Sequence, residues 1–404
     1  MAEMAGRGWI PLRGAGVTLA RMNDSDLLIV GGGLVGAAQA LALKDTGARI
    51  RVLERAAPDF NAPGWDSRIY AISPASRQLL TEAGAWARLP SGRAQAVAAM
   101  RVAGDRPGHA LRLDALEAGL DALAWIVEAR TLQQALWDEI AACPNIEIIT
   151  EATPRDYDAA ARSIALEDGR VFSAGLIVGA DGAASWLRDQ AGIAPKSFAY
   201  QQFGVVANFE CSAPHLGVAS QWFKPDGSIL AWLPLPGQRM SMVWSCAAAL
   251  KDELLACSAE ELAARVRAAG DGRLGDLSCI TPAQAFPLRL NLLPQWTRAG
   301  LALVGDAAHT IHPLAGQGVN LGFGDVRQLA GTLRAQPCAN WGDPALLRSY
   351  ERARREPVYR MQGVCHALQQ VFNHPLLGFL RNQGLALTDQ LPWLKRQLIR
   401  QAIS

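Results

Sequence analysis

GDAAHTIHPLAGQGVNLGFGD, residues 305–325, directly follows the apolar run Leu301–Val304, and the junction between the two decides the fold. A strand that ends in Gly305-Asp306 delivers a carboxylate to the crevice beyond the strand ends, where parallel α/β sheets bind ligands. A hydroxyl-rich ligand suits such an acceptor. Gly-Asp also makes ordinary turns, so the dipeptide alone leaves both readings open. The continuation resolves them. Its glycines bare backbone N–H groups at the start of a helix predicted over roughly Gly318–Leu333, where the helix dipole favours negative charge on a bound ring.

Working outward, a second glycine cluster lies near the other end of the chain. DLLIV (26–30) reads as a buried strand, GGGLVG (31–36) carries glycines in GxGxxG register, and LVGAAQALALKDTG reads as a helix ending near Gly47. ARIRVLE then supplies a second strand ending on Glu54. The spacing has a mechanical reason. Gly31 permits the tight turn, Gly33 lets the backbone approach a pyrophosphate, and Gly36 lets helix and strand pack closely. Glu54 stands where an acidic side chain accepts hydrogen bonds from a ribose diol, which fits NAD or FAD rather than NADP. A third segment, GLIVGADGAASWLRDQAG (175–192), again runs from a strand into Gly-Asp, at Asp181. Only one GxGxxG unit occurs and no CxxxxC pair, which excludes the two-fold pyridine-nucleotide disulfide reductases. The glycine clusters together describe one long cofactor held at both ends.

Composition narrows the classes further. The 404 residues carry 39 basic and 37 acidic side chains, a net charge of +2, without the Lys/Arg runs of a nucleic-acid binder. The seven cysteines form no CxxC pair, and the six histidines have no HxxxH or HExxH spacing. Reduced thiols in a cytoplasmic protein and no metal site are therefore expected. Residues 1–23 lack the apolar core of a signal peptide and read as a disordered extension. No run of about 18 apolar residues that would span a bilayer is present.

GxGxxG, then GADG, then GDAAHxxxPxxGQGxN resembles the group A flavoprotein monooxygenases, the para-hydroxybenzoate hydroxylase fold. More narrowly, DAAHTIHPLAGQGVNLGFGD is similar to the signature of the FAD-dependent aromatic hydroxylases of ubiquinone biosynthesis. DSRIYAISPASRQLL (66–80), EARTLQQALW (128–137), WLPLPGQRMSMVWS (232–245), SYERARR (349–355) and LRNQGLALTDQLP (380–392) fit the same family. The resemblance implies that Gly31, Gly33, Gly36 and Glu54 bind the ADP half of FAD. It places Arg68, Arg130 and Gln134 at the middle of the cofactor, and Asp181 in a motif serving both FAD and the passing nicotinamide. Gly305 and Asp306 would hold the ribityl chain, Asp306 through a hydroxyl, and Gly316, Gln317, Gly318, Val319 and Asn320 would line the isoalloxazine. The carbonyl of Pro313 matches a position near the substrate hydroxyl. One departure is Ala129, where many relatives have Asn. The implied reaction uses NAD(P)H and O2 to hydroxylate the ring of a polyprenylated phenol through a C4a-hydroperoxyflavin, chemistry that the cofactor carries and that needs no protein nucleophile. Two rival readings use the same fold: a flavin oxidase or epoxidase acting on another hydrophobic substrate, and a non-catalytic flavin-binding accessory subunit.

The expected architecture is α/β. A Rossmann-like FAD-binding domain occupies 24–195, with a short β insertion near 81–124, and resumes over 285–345. A substrate domain on a mainly antiparallel sheet fills 196–284, where FGVVANFEC, ASQWFKPDGSILAWLPL and RMSMVWSCA are separated by PDG and PLPG turns. Trp222, Trp232 and Trp244 in that sheet are core packing or an apolar wall for the substrate. His309 and His312 are structural hydrogen bonders or proton carriers. Helices fill 346–404, with a basic face on SYERARR; the end, LPWLKRQLIRQAIS, packs on its own domain or lies on the cytoplasmic face of a membrane. A ubiquinone-biosynthesis complex or a homo-oligomer completes the expected partners, with no nucleic acid among them.

Overall fold

In the strand Ser25–Val30 every side chain from Leu27 to Val30 is buried, the pattern of a strand covered on both faces. The computed structural model describes residues 25–104, 110–311, 318–373 and 395; the expected extension at 1–23 lies outside them, as do all but one residue of the segment after 373. Ser25–Val30 pairs in parallel with Ile50–Leu53 on one side and Val171–Gly179 on the other. Ile146–Ile149 and Leu301–Leu303 extend the sheet in parallel at its two ends, and Thr297–Arg298 closes it antiparallel. Alternation along the first strand sorts the two faces. Leu27 and Ile29 join a core with Leu132, Leu136, Phe323 and Leu329 from the helices Ala129–Ala141 and Gly318–Arg334. Leu28 and Val30 join a second core with Leu187, Trp296 and Val358.

The second sheet runs Leu277–Cys279, Lys196–Cys211, Arg239–Ala247, Ile229–Leu235, Val218–Phe223, Ala99–Ala103, Ala110–Asp114, with Gln284–Leu292 also paired along Lys196–Cys211. Its pairings are antiparallel except where Val218–Phe223 meets Ala99–Ala103 in parallel. The strand Gln284–Leu292 begins at the sequence boundary drawn at 284/285, so the sheet carries on to Leu292. Ile69–Ile72, Ala124–Glu128 and Ala94–Val97 form a small third sheet, which meets the second through Val97, Ile126, Ala219 and Leu235.

The opposite face of the second sheet carries Trp222, Trp232 and Trp244, all buried with Leu254, Leu262 and Val266 of the covering helices. The rings of Trp222 and Trp232 meet edge to face at 4.9 Å. These tryptophans are core packing. The covering segment is two helices, Ala248–Ala256 and Ala259–Ala269. Ser258 restarts it with a capping box: its Oγ accepts from Glu261 N at 3.2 Å while its own N–H donates to Glu261 Oε2 at 2.8 Å. The first Rossmann helix is likewise shorter than its pattern, ending at Leu41 before a single tight turn, Lys44–Thr46, that reaches Gly47 at φ 73°. Among the described residues no helix is long and apolar enough to cross a membrane, and no cluster of metal-ligating side chains occurs.

Candidate active site

At the carboxyl end of Ser25–Val30 the chain turns through Gly31 at φ +104°, where a Cβ would stand 2.5 Å from the Ala180 carbonyl oxygen. A Cβ on Gly36 would stand 1.9 Å from the Gly31 carbonyl oxygen, so helix Leu34–Leu41 seats directly on the turn. A Cβ on Gly33, by contrast, would meet no atom within 4 Å. Gly31 and Gly36 are therefore glycine for internal packing, and Gly33 leaves backbone open at the helix N-terminus, where an anion gains most from unpaired N–H groups. Glu54 stands beside this loop, its Oε2 accepting from Gly32 N at 2.7 Å. From the other side, Trp137 Nε1 and Gln133 Nε2 donate to the Gly32 carbonyl at 2.8 and 3.2 Å. Gln134, expected on the same helix, is half-buried one position further on.

The middle of the site is a backbone knot around Asp66. Its two carboxylate oxygens accept from Arg68 N at 2.9 Å and Arg130 N at 3.0 Å. Its own N–H donates to Glu128 Oε1 at 2.8 Å, and its carbonyl accepts from Asn208 Nδ2 at 2.8 Å. Arg130 also donates to the Gly64 carbonyl at 2.6 Å. Glu128 is 1% exposed and is paired with Arg93 at 2.8 Å. Arg68 is exposed, and its guanidinium reaches the field of both Tyr70 and Asp306. The Tyr70 hydroxyl is pushed up by burial, which outweighs Arg68 beside it. Ala129, the departure noted in the sequence, donates its N–H to the Arg68 carbonyl at 2.9 Å, a bond any residue but proline would make.

At the far end, Leu301–Leu303 runs into Gly305 (φ +58°) and Asp306. Asp306 is open to solvent although its neighbours are buried. Enclosure in the surrounding protein pushes its carboxyl up, with His309 and Arg68 pulling the other way. Its exposed carboxylate is thus presented at the end of the strand among buried neighbours, where a bound hydroxyl can donate to it. Asp325, by contrast, is fully buried. Its Oδ2 accepts from Gly305 N at 2.9 Å and lies 2.6 Å from His309 Nε2, while its Oδ1 accepts from Arg354 Nε at 2.8 Å. Burial would raise this carboxyl, but His309 and Arg354 outweigh it and hold it below the usual carboxylate range. The first and last residues of the 305–325 stretch are thus hydrogen-bonded to each other.

His309 is 2% exposed, its ring 5.1 Å from that of Trp296, and its described partner is Asp325. Val319 is buried in the first turn of helix Gly318–Arg334, and a Cβ on Gly318 would meet nothing within 4 Å. Asn320 turns its amide to the neighbouring backbone, accepting from Ser73 N at 3.0 Å and donating to the Ala71 carbonyl at 2.8 Å. Asp181 caps the short helix Trp186–Gln190, accepting from Ser185 Oγ at 2.5 Å and Leu187 N at 3.0 Å, and burial raises its carboxyl. His312, Pro313, Gly316 and Gln317 lie outside the described residues.

The structure brings Glu54 to the glycine loop, and Arg68 and Asp306 into one field. Trp137, Gln133, Asp66, Glu128, Asp325 and Arg354 were not singled out from sequence. Two of them, Asp66 and Glu128, open the quoted segments DSRIYAISPASRQLL and EARTLQQALW, but nothing in the spacing says that they meet. The residues fit a dinucleotide carrying a hydroxyl chain and a ring. Open space lies at Gly33 and at Gly318, both at helix starts, and Asp306 presents a carboxylate open to solvent.

This is the frame of a flavoprotein monooxygenase. Residues 24–362 match the FAD binding domain family. The chain is 36% identical over 391 residues to 3-demethoxyubiquinol 3-hydroxylase of Escherichia coli, covering 94% of this chain and 99% of that one. It is 35% identical over 389 residues to the ubiquinone hydroxylase UbiL of Rhodospirillum rubrum, covering 94% and 89%. Among solved structures, p-nitrophenol 4-monooxygenase PnpA from Pseudomonas putida superposes with a TM-score of 0.76 at 17% identity, covering 95% and 99%. PqsL of Pseudomonas aeruginosa superposes with 0.74 at 23%, covering 89% and 100%. The chain belongs to the family of FAD-dependent hydroxylases of ubiquinone biosynthesis, and it is an FAD-dependent monooxygenase of the para-hydroxybenzoate hydroxylase fold.

Proposed function

We propose that this enzyme hydroxylates the aromatic ring of a polyprenylated phenol in ubiquinone biosynthesis, taking electrons from NAD(P)H and one oxygen atom from O2. The observation that carries the reading is the match over 94% of the chain to named ubiquinone hydroxylases, on a fold whose first and last glycine segments both end strands of one parallel sheet. Bound FAD supplies the electron storage and oxygen activation. The chain's own residues bind, orient and exclude water. Gly31, Gly33 and Gly36 seat the pyrophosphate at the start of helix Leu34–Leu41, and Glu54 accepts from the adenosine ribose. Arg68, Arg130 and Gln134 serve the middle of the cofactor, Asp306 takes a ribityl hydroxyl, and Gly316 to Asn320 lie along the ring. Asp181 serves the path of the nicotinamide, and the carbonyl of Pro313 receives the substrate hydroxyl. His309 holds Asp325 rather than carrying a proton. Residues 24–195 and 285–345 act as the cofactor domain and 196–284 as the substrate domain.

Purified protein tests the reading. It should be yellow, and a prenylphenol with one short side chain should stimulate both NAD(P)H oxidation and O2 uptake. Mass spectrometry should then find a product one oxygen atom heavier. Turnover that ignores the phenol, or a product without added oxygen, would sink the proposal. A membrane-surface role for the basic C-terminal segment belongs to the same reading. Co-sedimentation with liposomes of the full chain against a chain ending at Leu391 tests it, and equal binding would remove it.

A further inference from the structure

The helix Pro344–Asn373 packs on the segment that carries Asp306 through Val358 and a Thr297–Glu351 hydrogen bond, and grips its main chain at several carbonyls. Tyr350 Oη donates to the Leu303 carbonyl and Tyr359 Oη to the Leu293 carbonyl, each at 2.9 Å, and Arg355 donates to the Pro294 carbonyl. Gln362 Nε2 spans the Asn291 and Thr310 carbonyls at 3.1 and 2.9 Å. Arg354 is the member that reaches furthest into the site. Its Nε donates to Asp325 Oδ1 at 2.8 Å and its terminal nitrogen to the Leu321 carbonyl at 3.0 Å. Through the other oxygen, Asp325 holds Gly305 N at 2.9 Å, one residue before Asp306. Gly324 is glycine for this contact, since a Cβ there would stand 2.6 Å from the Arg354 guanidinium. The basic face read on SYERARR is therefore not wholly solvated, because Arg354 turns inward.

We infer that Arg354 is a positioning residue for the flavin half of the cofactor: acting through Asp325, it fixes the Gly305–Asp306 turn against the first turns of helix Gly318–Arg334. Arg354 touches neither cofactor nor substrate in this assignment. The fork matters more than the charge. One guanidinium satisfies a carboxylate and a carbonyl together, and a lysine ammonium on a flexible stem does not reproduce that planar geometry. The dinucleotide end, built on Gly31–Gly36 and Glu54, touches this turn only through the apolar packing of Val35 on Gly305 and Gly322 and makes none of these hydrogen bonds, so the effect should fall mainly on one half of the ligand.

The test uses the full-length protein stripped of FAD and titrated with two probes, FAD and ADP. In Arg354→Gln the FAD dissociation constant should rise at least tenfold while that for ADP stays within twofold, and the visible spectrum of rebound flavin should shift. Arg354→Lys, which keeps the charge and is expected to fold even if Arg354→Gln does not, should fall between. Equal loss of FAD and ADP affinity, or unchanged FAD affinity in both variants, would overturn the inference. FAD binding by the unaltered chain is the control: its failure would count against the cofactor, not against Arg354.

Discussion

The two ends of the cofactor site are built on different physics. The dinucleotide end is made of backbone. Gly31, Gly36 and the Ala180 carbonyl are packed so closely that no side chain fits among them, and Glu54 adds one carboxylate. The flavin end is made of charge, with a fully buried Asp325 shared by a histidine, an arginine and a main-chain N–H. Packing of the first kind is insensitive to pH and intolerant of any added atom. A buried ion cluster of the second kind contributes little net stability but costs a great deal when one partner is removed. One end is thus specified by volume and the other by ionisation.

Adding a single methyl at the backbone-built end should have the largest effect on cofactor affinity. Gly36→Ala puts a Cβ where the Gly31 carbonyl oxygen lies 1.9 Å away, and neither atom belongs to a flexible side chain. Overpacking of this order costs about 3 kcal/mol of stability; to the extent that the turn shifts to relieve it, ADP and FAD should weaken together in titrations of the stripped protein, by roughly a hundredfold if the whole cost falls on the bound form. If ADP binding survived, the contrast between the two ends would collapse.

Asp325→Asn strikes the charge-built end. It leaves Arg354 without its carboxylate and should cost about 3–5 kcal/mol of stability, read from urea unfolding. Its pH dependence sharpens the comparison. The Asp325 carboxyl is held below its ordinary value in the folded protein, chiefly by His309 once burial is outweighed. Its stabilisation is therefore complete above the unfolded carboxylate range and disappears as pH falls through the lower folded value. The gap between native protein and variant should narrow on acidification over that window, and Gly36→Ala should show no such narrowing.

Asp306→Asn should have the smallest effect, and one of mixed sign. Enclosure raises this carboxyl, so ionising it at neutral pH works against the folded apoprotein. The variant should melt slightly higher without cofactor, yet bind FAD about tenfold more weakly, the worth of one hydrogen bond to a charged acceptor. Thermal melts with and without FAD would show the crossing, and a lower apoprotein melt would contradict the assigned direction.

Legibility followed the same division. The glycine turn was readable because its tightest contact, Gly36 on the Gly31 carbonyl, spans five residues, so spacing encodes that geometry even though the Ala180 carbonyl closes it from afar. The apolar runs identified Ser25–Val30 and Leu301–Leu303, and helix Gly318–Arg334 begins at the expected glycine. The charge-built end was opaque. Its arginine is 29 residues from its aspartate, and periodicity reports which face a residue occupies, not which partner it meets. The Asp66 knot was hidden for the same reason, with partners at 62, 64 and 142 residues. The break at Ser258 was legible in principle as S-x-x-E, but it fell inside a run of good helix formers.

The hold of helix Pro344–Asn373 on its neighbour has a corollary. Contacts made to the carbonyls of Asn291, Leu293, Pro294, Leu303 and Thr310 read the path of the chain and are indifferent to the side chains along it. The side chains at those positions answer to other constraints: Leu293 and Leu303 are buried in the core, while Asn291 and Thr310 are tied by hydrogen bonds of their own. The path of the chain into Asp306 is thus held separately from the packing of the side chains along it, so a core substitution that keeps the fold leaves these five carbonyl contacts intact.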